Sequence, residues 1–554
     1  MKALIFSGFL LINVSAYSQQ LVTSVFYNGP GNGTDRAIDS ESDDNSFVYV
    51  TGVSFGGTTT KDDVYTVKYY LDPFGNRRIV WSSRFNDSRH NGNNVDIPYD
   101  ISTDSYGNVY VCGTTYKHGD ITTADYFVLK YNDSGTLLWS VLYNGTGNCY
   151  DFAYCLATDA EGNVYVTGAS FGNNGTQLDY ATVKYNSSGS QQWVRRYNGA
   201  FSKTDEGRSI AVDIHGGIYV TGNSMVDGQG YNIITIKYNS AGTQQWLKSY
   251  NGTGNADDVP RKILTDRFSN IIIGGTGKGA GTNMDFIIIK YNSAGSDLWN
   301  KRYNGSFNGN DSLRGIDVDI FGNIYVTGAV TVSSGNCDFA TIRYGADGNQ
   351  LWVRSFDGGG IDIPSSVRSV NRAYEPESYR QLQICVSGQS DGSGRDFYTM
   401  VYDGYGNLRW GERFNRIGNA NDIPYSVTTT PNIRLLYVTG ESNQDFCTVV
   451  YEKDVQNPLL SDTEELIPAN VNSIAYPNPF NPETKIVFKL KNDSQVKIVI
   501  YDILGRIVSI LADSRFIAGV HSIRFNVQNL TSGIYLYKIV TDYYDEAKKI
   551  IVMK

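Results

Sequence analysis

Residues 162–197 read GNVYVTGASFGNNGTQLDYATVKYNSSGSQQWVRRY and hold three short segments rich in β-branched and aromatic residues. Turns of glycine, asparagine and serine separate the segments, which is the pattern of strands joined by tight turns. A fourth segment of this kind follows at residues 210–213. The order recurs along the chain, and a tryptophan marks the last segment of seven copies, 53 to 58 residues apart. The tryptophans are Trp81, Trp139, Trp193, Trp246, Trp299, Trp352 and Trp410.

The number of repeats predicts the number of sheets. A period of about 53 residues that holds four antiparallel strands is typical of one propeller blade. The glycine that ends the second strand occurs eight times, but the tryptophan-bearing strand occurs only seven times. Residues 22–28 supply one more strand of that fourth type at the start of the chain. We therefore predict an all-β, eight-bladed β-propeller over residues 21–453, closed by this N-terminal strand so that no sheet edge stays open.

Three units of the repeat resemble a known family. Gly-Asn-Val-Tyr-Val-Thr-Gly at 162–168, Tyr-Ala-Thr-Val-Lys-Tyr-Asn at 180–186 and Gln-Gln-Trp at 191–193 are similar to the SBBP-type β-propeller repeat of bacteria. The resemblance implies a propeller in an exported bacterial protein and implies no particular chemistry. That family is named for seven blades, so a seven-bladed ring stays open as the alternative to the count of eight.

The first 18 residues have the pattern of a secretory signal peptide. Met1 and Lys2 form a short positive start, residues 3–14 are mostly apolar, and Ala16 and Ser18 are small residues at the positions that a signal peptidase reads. We expect cleavage after Ser18. The apolar stretch is short for a spanning helix, and no later stretch reaches about 20 apolar residues, so the sequence predicts no transmembrane segment.

The repeat stops near residue 453, and a polar stretch at 454–473 is interpreted as a linker. Residues 474–554 then show alternating strands, which predict a small C-terminal β-sandwich. The predicted strands are 485–490, 496–501, 522–526, 534–540 and 548–553.

The same tail closely resembles the type A sorting domain of the type IX (Por) secretion system. The matching pieces, in order, are Tyr-Pro-Asn-Pro at 476–479, Val-x-Ile-x-Ile-Tyr-Asp-x-x-Gly-Arg at 496–506, Ala-Gly-x-His at 518–521 and Leu-x-Ser-Gly-Ile-Tyr at 530–535. The resemblance implies that residues 474–554 engage the type IX secretion machinery. It also implies a route through the periplasm to the outer-membrane surface or the medium. Whether the tail is cleaved after export stays open.

The charge balance limits the classes of partner. The chain has 47 Lys and Arg against 56 Asp and Glu, a formal net charge of −9. A negative chain is not expected to bind nucleic acid or an anionic membrane by charge alone.

One aspartate begins the innermost predicted strand of every repeat and forms the best cluster of candidate binding residues. Eight-fold symmetry would place these carboxylates around one channel mouth, where they could hold a sugar or a cation such as calcium; no other cofactor is predicted. The alternative is that each aspartate accepts backbone N–H bonds, and its presence in every repeat favours that structural role. The eight are Asp35, Asp96, Asp151, Asp205, Asp258, Asp311, Asp362 and Asp422.

Loops that differ between repeats provide further candidate contacts. His90 and His118 lie in two loops that should share one face, and Tyr374 and Tyr379 lie in a long hairpin at 371–383. A zinc site needs three or four ligands, so the two histidines alone favour solvated loops over a metal site. The long hairpin is a candidate binding loop or a tolerated insertion.

These features favour a secreted or surface-displayed binding or scaffold module with an unidentified glycan or protein ligand. Two alternatives remain at this point. One is a polysaccharide-active enzyme that uses two channel carboxylates as acid and base. The other is a purely adhesive or structural surface protein.

Overall fold

A computed structural model describes residues 19–43, 47–58, 60–71, 77–89, 93–172, 177–370, 382–391, 394–416, 421–430, 435–453, 473–476, 483–490, 494–516, 519–526, 530–542 and 545–552. The predicted signal peptide and most of the predicted linker lie outside these residues. The chain divides into two compact units, Met1–Lys453 and Asp454–Lys554. The elements that the structure describes are β-strands, and none of its described residues forms a helix with the length and apolarity that a bilayer crossing needs.

The first unit contains eight four-stranded antiparallel sheets. Seven of them are consecutive along the chain, and in each the strands lie side by side in chain order. They are β2 Arg36–Ser42, β3 Val48–Phe55, β4 Asp62–Leu71 and β5 Arg77–Phe85; β6 Asn94–Thr103, β7 Val109–Lys117, β8 Asp120–Tyr131 and β9 Leu137–Tyr143; β10 Asp151–Thr158, β11 Val164–Phe171, β12 Leu178–Tyr185 and β13 Gln191–Tyr197; β14 Asp205–Val212, β15 Ile218–Val226, β16 Gly230–Tyr238 and β17 Gln244–Tyr250; β18 Asp258–Thr265, β19 Ile271–Lys278, β20 Met284–Tyr291 and β21 Asp297–Tyr303; β22 Ser312–Val318, β23 Ile324–Ser333, β24 Asn336–Tyr344 and β25 Gln350–Phe356; β26 Asp362–Val370, β27 Gln383–Asp391, β28 Arg395–Asp403 and β29 Leu408–Phe414. We number these sheets one to seven.

The eighth sheet joins the two ends of the first unit. It contains β30 Asp422–Thr429, β31 Leu435–Ser442, β32 Asp445–Lys453 and the N-terminal strand β1 Gln19–Tyr27, in the order β1-β32-β31-β30. Strand β1 pairs antiparallel with β32 from Gln19 opposite Lys453 to Tyr27 opposite Phe446. Strand β2 of the first sheet contacts both β30 and β31, and Tyr27 stacks on Tyr65 with ring centroids 3.9 Å apart.

Both faces of each sheet are covered, which explains the composition of the repeat. The second strand, such as β11 with its Val-Tyr-Val-Thr-Gly run, is buried along nearly its whole length. A strand that is buried on both faces needs consecutive apolar or β-branched residues instead of strict alternation. The hydrophobic clusters also join neighbouring sheets. Tyr110 and Tyr126 of the second sheet pack with Val164 and Val166 of the third.

The tryptophans of the fourth strands connect neighbouring sheets. In six of them the indole N–H donates to a backbone carbonyl in the third-to-fourth-strand turn of the next sheet, at 2.9–3.2 Å. Each ring also packs on that turn's glycine: Gly189, next to Trp139, has φ +83°, and a Cβ there would lie 2.9 Å from the ring. In the eighth sheet the third and fourth strands come from opposite ends of the chain, and Trp410 packs on Tyr451 instead.

The second unit contains two antiparallel sheets with one hydrophobic core. The strands are β33 Ser473–Tyr476, β34 Glu483–Leu490, β35 Ser494–Asp502, β36 Ile507–Phe516, β37 Gly519–Asn526, β38 Gly533–Val540 and β39 Asp545–Val552. They form the sheets β33-β34-β37 and β36-β35-β38-β39. Ile486 and Phe488 of the smaller sheet pack in one cluster with Ile498, Tyr537 and Ile550 of the larger sheet.

Trp193→Ala should lower the free energy of unfolding of the first unit by about 3 kcal/mol, since it removes the half-buried indole together with its bond to the next sheet. Trp193→Phe keeps a ring and loses only the N–H donor, which should cost about 1 kcal/mol. Urea denaturation followed by circular dichroism measures both. Equal effects of the two variants would contradict the packing role of the ring.

Candidate functional site

Seven of the eight predicted aspartates lie at or directly before the start of an innermost strand, and Asp96 is the third residue of β6. All eight are 0% exposed. Every one of them accepts a hydrogen bond from a backbone N–H of the loop that enters its sheet. The donor in six sheets is a glycine, as where Gly145 donates to Asp151 Oδ2 at 2.7 Å. The amide donors are Gly29, Asp87, Gly145, Gly199, Gly252, Gly305, Gly358 and Arg416.

The aspartates therefore anchor the loops that enter the sheets. The approach is close: a Cβ on Gly145 would lie 2.2 Å from Ser170 Oγ and 2.6 Å from Asp151 Oδ1, so only glycine fits. Burial raises the pKa of Asp96 to about 7 and the pKa of Asp151, Asp205 and Asp258 to about 6. This arrangement matches the structural alternative, while ligand binding by the eight aspartates together stays a prediction.

The loop residues form no described site. His118 is exposed in the turn between β7 and β8, and its backbone N–H donates to the Asn93 carbonyl at 3.0 Å. His90, Tyr374 and Tyr379 lie outside the described residues.

A different set of side chains is brought together by β-bulges. In every innermost strand the pairing register shifts by one residue. The extra residue stands three positions after the aspartate that recurs in every repeat, and a bulge turns such a side chain away from the regular alternation. The bulge residues, from the first sheet to the eighth, are Ile38, Tyr99, Tyr154, Arg208, Arg261, Arg314, Ser365 and Tyr425.

These bulge residues divide into an aromatic part and a cationic part. Tyr99 and Tyr154 are in edge contact, with ring centroids 5.9 Å apart, and the Arg208 guanidinium lies 4.8 Å from the centre of the Tyr154 ring. Desolvation and the neighbouring charges of Arg314 and Arg208 lower the pKa of Arg261. Arg208 pairs with Glu206 of its own strand, whereas Arg261 and Arg314 are exposed and form no ion pair within the described part of the chain. The site thus presents guanidinium groups beside tyrosine rings.

Carboxylates and one lysine lie on the same strands. Burial, with the charge and hydrogen bonding of the adjacent Asp100, raises the pKa of Asp39 to about 7, while the charge of Lys262 opposes this shift. Asp100 accepts the amide N–H groups of Ile101 at 3.0 Å and of Leu156 in the next sheet at 2.8 Å. Glu41 of the first sheet pairs with Arg368 of the seventh at 3.2 Å. We call the bulge residues with Asp39, Asp100 and Lys262 the inner-strand site.

The sequence carries a signal for this site at one position of the repeat. When the eight repeats are aligned on their aspartates, the third position after the aspartate varies between aliphatic, aromatic, cationic and hydroxyl residues. The aspartate itself never varies. A variable position in a fixed framework is typical of a binding surface, but only the strand register places these side chains next to one another.

Comparison with known families identifies both parts of the chain. Residues 474–553 match the family model described as the secretion system C-terminal sorting domain. Residues 80–119 and 192–228 match the model described as the beta-propeller repeat. Both resemblances seen in the sequence are thereby confirmed. The chain carries propeller repeats and a type IX sorting domain, and it is a protein for export by that system.

Curated relatives are distant. Regulatory protein FlaEY of Caulobacter vibrioides is 26% identical over 198 residues, which cover 32% of this chain and 19% of that protein. The uncharacterized WD repeat-containing protein L264 of Acanthamoeba polyphaga mimivirus is 22% identical over 458 residues, which cover 69% of this chain and 31% of that protein. The chain thus spans about a fifth to a third of the length of these relatives.

A solved structure that was matched is PorZ of Porphyromonas gingivalis, described as an essential bacterial surface component of the type-IX secretion system. It has 12% sequence identity and a TM-score of 0.38, and the match covers 92% of this chain and 68% of PorZ.

Asp205→Asn should change how the stability of the first unit depends on pH. The folded pKa of Asp205, about 6, lies above its unfolded value of about 4, so the folded state holds this proton more tightly. The resulting stability is present below about pH 4 and is lost as the pH rises through about 6. Between about pH 4 and pH 7.5 the wild type should therefore lose up to about 2 kcal/mol that the variant keeps.

Urea titrations at several pH values measure this difference. Asp213→Asn is the matched control, because hydrogen bonds to Tyr219 and to backbone amides outweigh burial and lower the pKa of Asp213. Its stabilising effect is lost only as the pH falls through the lowered pKa, so its deficit should stay constant above about pH 4.5. A pH-independent effect of Asp205→Asn would contradict the role of burial.

Proposed function

We propose that this protein is an eight-bladed surface β-propeller, closed by its N-terminal strand, that binds an acidic glycan at its inner-strand site. The pairing of β1 with β32 and the contacts of β2 with β30 support closure after eight sheets. In such a ring the innermost strands surround a central channel, and the inner-strand site lines it.

The single observation that carries the binding proposal is the row of three arginines on neighbouring bulges, Arg208, Arg261 and Arg314. Arg208 is paired with Glu206, but Arg261 and Arg314 have no ion-pair partner among the described residues. Grouping their like charges costs free energy, which an anionic ligand would offset. Guanidinium groups bind carboxylates with paired, charge-assisted hydrogen bonds. The chain as a whole is negative, so it repels anions in general. The local positive patch would attract an anionic ligand to this site alone.

The tyrosines indicate a sugar as the carrier of the negative charge. Tyr154 lies on the bulge next to Arg208 and contacts Tyr99 on the bulge before it. Both rings are exposed or half-buried, as is Tyr425 on the bulge of the eighth sheet. A tyrosine ring offers a flat apolar face and a polar hydroxyl, which suits the apolar face and hydroxyl groups of a sugar ring. A uronic acid combines such a ring with a carboxylate, so it matches both parts of the site.

We do not propose catalysis by the channel carboxylates. In glycosidases the two carboxyl groups stand about 5–9 Å apart so that the glycosidic bond fits between them. Asp39 and Asp100 are instead adjacent and hydrogen-bonded to each other. Both carboxylate oxygens of Asp100 also accept hydrogen bonds from backbone amides. This geometry supports a role in joining the inner strands.

Arg261→Ala with Arg314→Ala should weaken binding of polygalacturonate at least tenfold, because a charge-assisted hydrogen bond contributes about 1.5–3 kcal/mol. Isothermal titration calorimetry on the mature protein measures the affinity. Arg267→Ala is the control, since Arg267 is an exposed arginine that lies over Phe268 in a turn away from the bulges.

Three results would overturn the proposal: no binding by the wild type, equal binding by the double variant, or equal affinity for uncharged dextran. Equal binding of poly-glutamate would refute the assignment of a sugar. If the wild type binds none of these polymers, only the adhesive or structural role remains.

We further propose the route of export, a signal peptide at residues 1–18 to the periplasm and the sorting domain at 474–554 to the surface. A periplasmic reporter that carries both segments should appear at the surface or in the medium of a host with a type IX system. The same reporter with the signal peptide alone should stay in the periplasm. Fractionation of the two strains measures this, and retention of both reporters would contradict the assignment.

A further inference from the structure

An acidic residue near the start of the third strand recurs in seven of the eight sheets, and it is normally neutralised by arginine. In six of these sheets the carboxylate forms an ion pair: with an arginine of the fourth strand, as Arg196 with Asp179 at 2.9 Å, or with one of a nearby loop, as Arg416 with Asp445 at 2.6 Å. The six aspartates are Asp63, Asp125, Asp179, Asp285, Asp396 and Asp445.

The fourth sheet shows that the aspartate and the arginine are lost together. It has Asn232 in place of the aspartate, and Ser249 stands where the arginine of the fourth strand stands in other sheets. Charge is therefore matched at this junction whether or not the pair is present. An unmatched aspartate would need a different source of positive charge.

Asp338 of the sixth sheet is such an unmatched aspartate. The register places Ser355 at the position of the fourth-strand arginine. The backbone of Asp338 pairs with Val330, but its carboxylate has no ion-pair or hydrogen-bond partner among the described residues. The loop that follows adds another acid, since the usual Tyr-Asn-Gly is replaced by Phe356-Asp357-Gly358. This junction has lost a positive charge and gained a negative one.

Three carboxylates converge at this junction. One oxygen each of Asp338, Asp357 and Asp362 lies within 4.8 Å of the other two. Asp362 is 0% exposed; its Oδ2 accepts the Gly358 amide at 2.6 Å, and the Ser390 hydroxyl provides a further hydrogen bond to its carboxylate. Oδ1 of Asp338 is buried without a hydrogen-bond donor.

The surrounding charges do not compensate the cluster. Burial and the charges of Asp357 and Asp362 raise the pKa of Asp338. Arg413, whose charge reaches Asp362, is already bound to Asp396 at 3.0 Å and to Ser390. Three carboxylates at this separation repel one another unless a proton or a cation lies between them.

We propose that Asp338, Asp357 and Asp362 bind a divalent cation, Ca²⁺, which takes the place of the arginine at the junction of the sixth and seventh sheets. Oxygen atoms up to 4.8 Å apart can share one ion at the 2.3–2.6 Å distances typical of Ca²⁺. Calcium accepts carboxylate, carbonyl and water oxygens in irregular geometry, whereas zinc prefers histidine and cysteine. Asp338 lies on β24 and Asp362 on β26, so the ion would cross-link two sheets.

The mature protein, freed of metal with EDTA and dialysed, should bind one Ca²⁺ with a dissociation constant of about 0.1–1 mM, the range of extracellular calcium modules. Titration calorimetry with CaCl₂ measures this, and MgCl₂ should bind more weakly because Mg²⁺ demands near-octahedral geometry. Saturating Ca²⁺ should raise the melting temperature by about 2 °C.

Two variants test the assignment with residues that other sheets already use. Asp338→Asn copies the fourth sheet and should abolish the calorimetric signal and the thermal shift. Ser355→Arg restores the arginine of the other sheets, so the metal-free variant should melt at the temperature of the calcium-loaded wild type and gain nothing from Ca²⁺.

Ser249→Arg is the matched control, because it adds an arginine at the equivalent position beside Asn232; its response to Ca²⁺ should equal that of the wild type. The proposal is overturned if the wild type binds no Ca²⁺ at 10 mM. It is also overturned if Asp338→Asn and Ser355→Arg, both folded by circular dichroism, bind Ca²⁺ as the wild type does.

Discussion

The pairing of β1 with β32 is the interaction on which the proposed ring depends. Each sheet of the first unit is apolar on both faces, so each needs a neighbour on both sides. The first and last sheets can satisfy this only by packing on each other, and the eighth sheet obtains its fourth strand from the other end of the chain. A ring assembled in this way leaves no sheet at the end of the array without a neighbour, and only the short innermost and outermost strands of each sheet keep a free edge.

Within this framework, residues that are the same in every sheet act in folding, and residues that differ are the candidates for binding. The buried aspartates anchor the entry loops, and the indole groups fasten each sheet to the next turn. The bulges vary, and three arginines occupy neighbouring bulges. The junction at Asp338 also departs from the common charge pattern. It has an excess of carboxylates, whereas the three bulges have an excess of arginines. Local breaks in a uniform repeat thus indicate where this protein contacts something else.

The sequence predicted most of the architecture because strand periodicity and turn residues are local signals. All five strands expected in the tail are present, but β33 and β36 were missed, since Pro-rich flanks and alternating polar residues hide short or edge strands. The inner-strand site could not be predicted because a bulge depends on the register between two strands. The ion pairs of Asp179 and its equivalents were missed as well, since each joins an aspartate of a third strand to an arginine of another strand or of a loop.

The central claim, closure by the N-terminal strand, is tested most directly by a covalent link between β1 and β32. Phe26 lies directly opposite Cys447 in the ladder, and Cys447 is a free thiol, so Phe26→Cys creates a cross-strand cysteine pair. Mild oxidation followed by peptide mapping should find an intramolecular disulfide between positions 26 and 447, and the Cys447→Ala background should abolish it. A folded variant in which both thiols stay free, or which forms only intermolecular disulfides, would contradict closure.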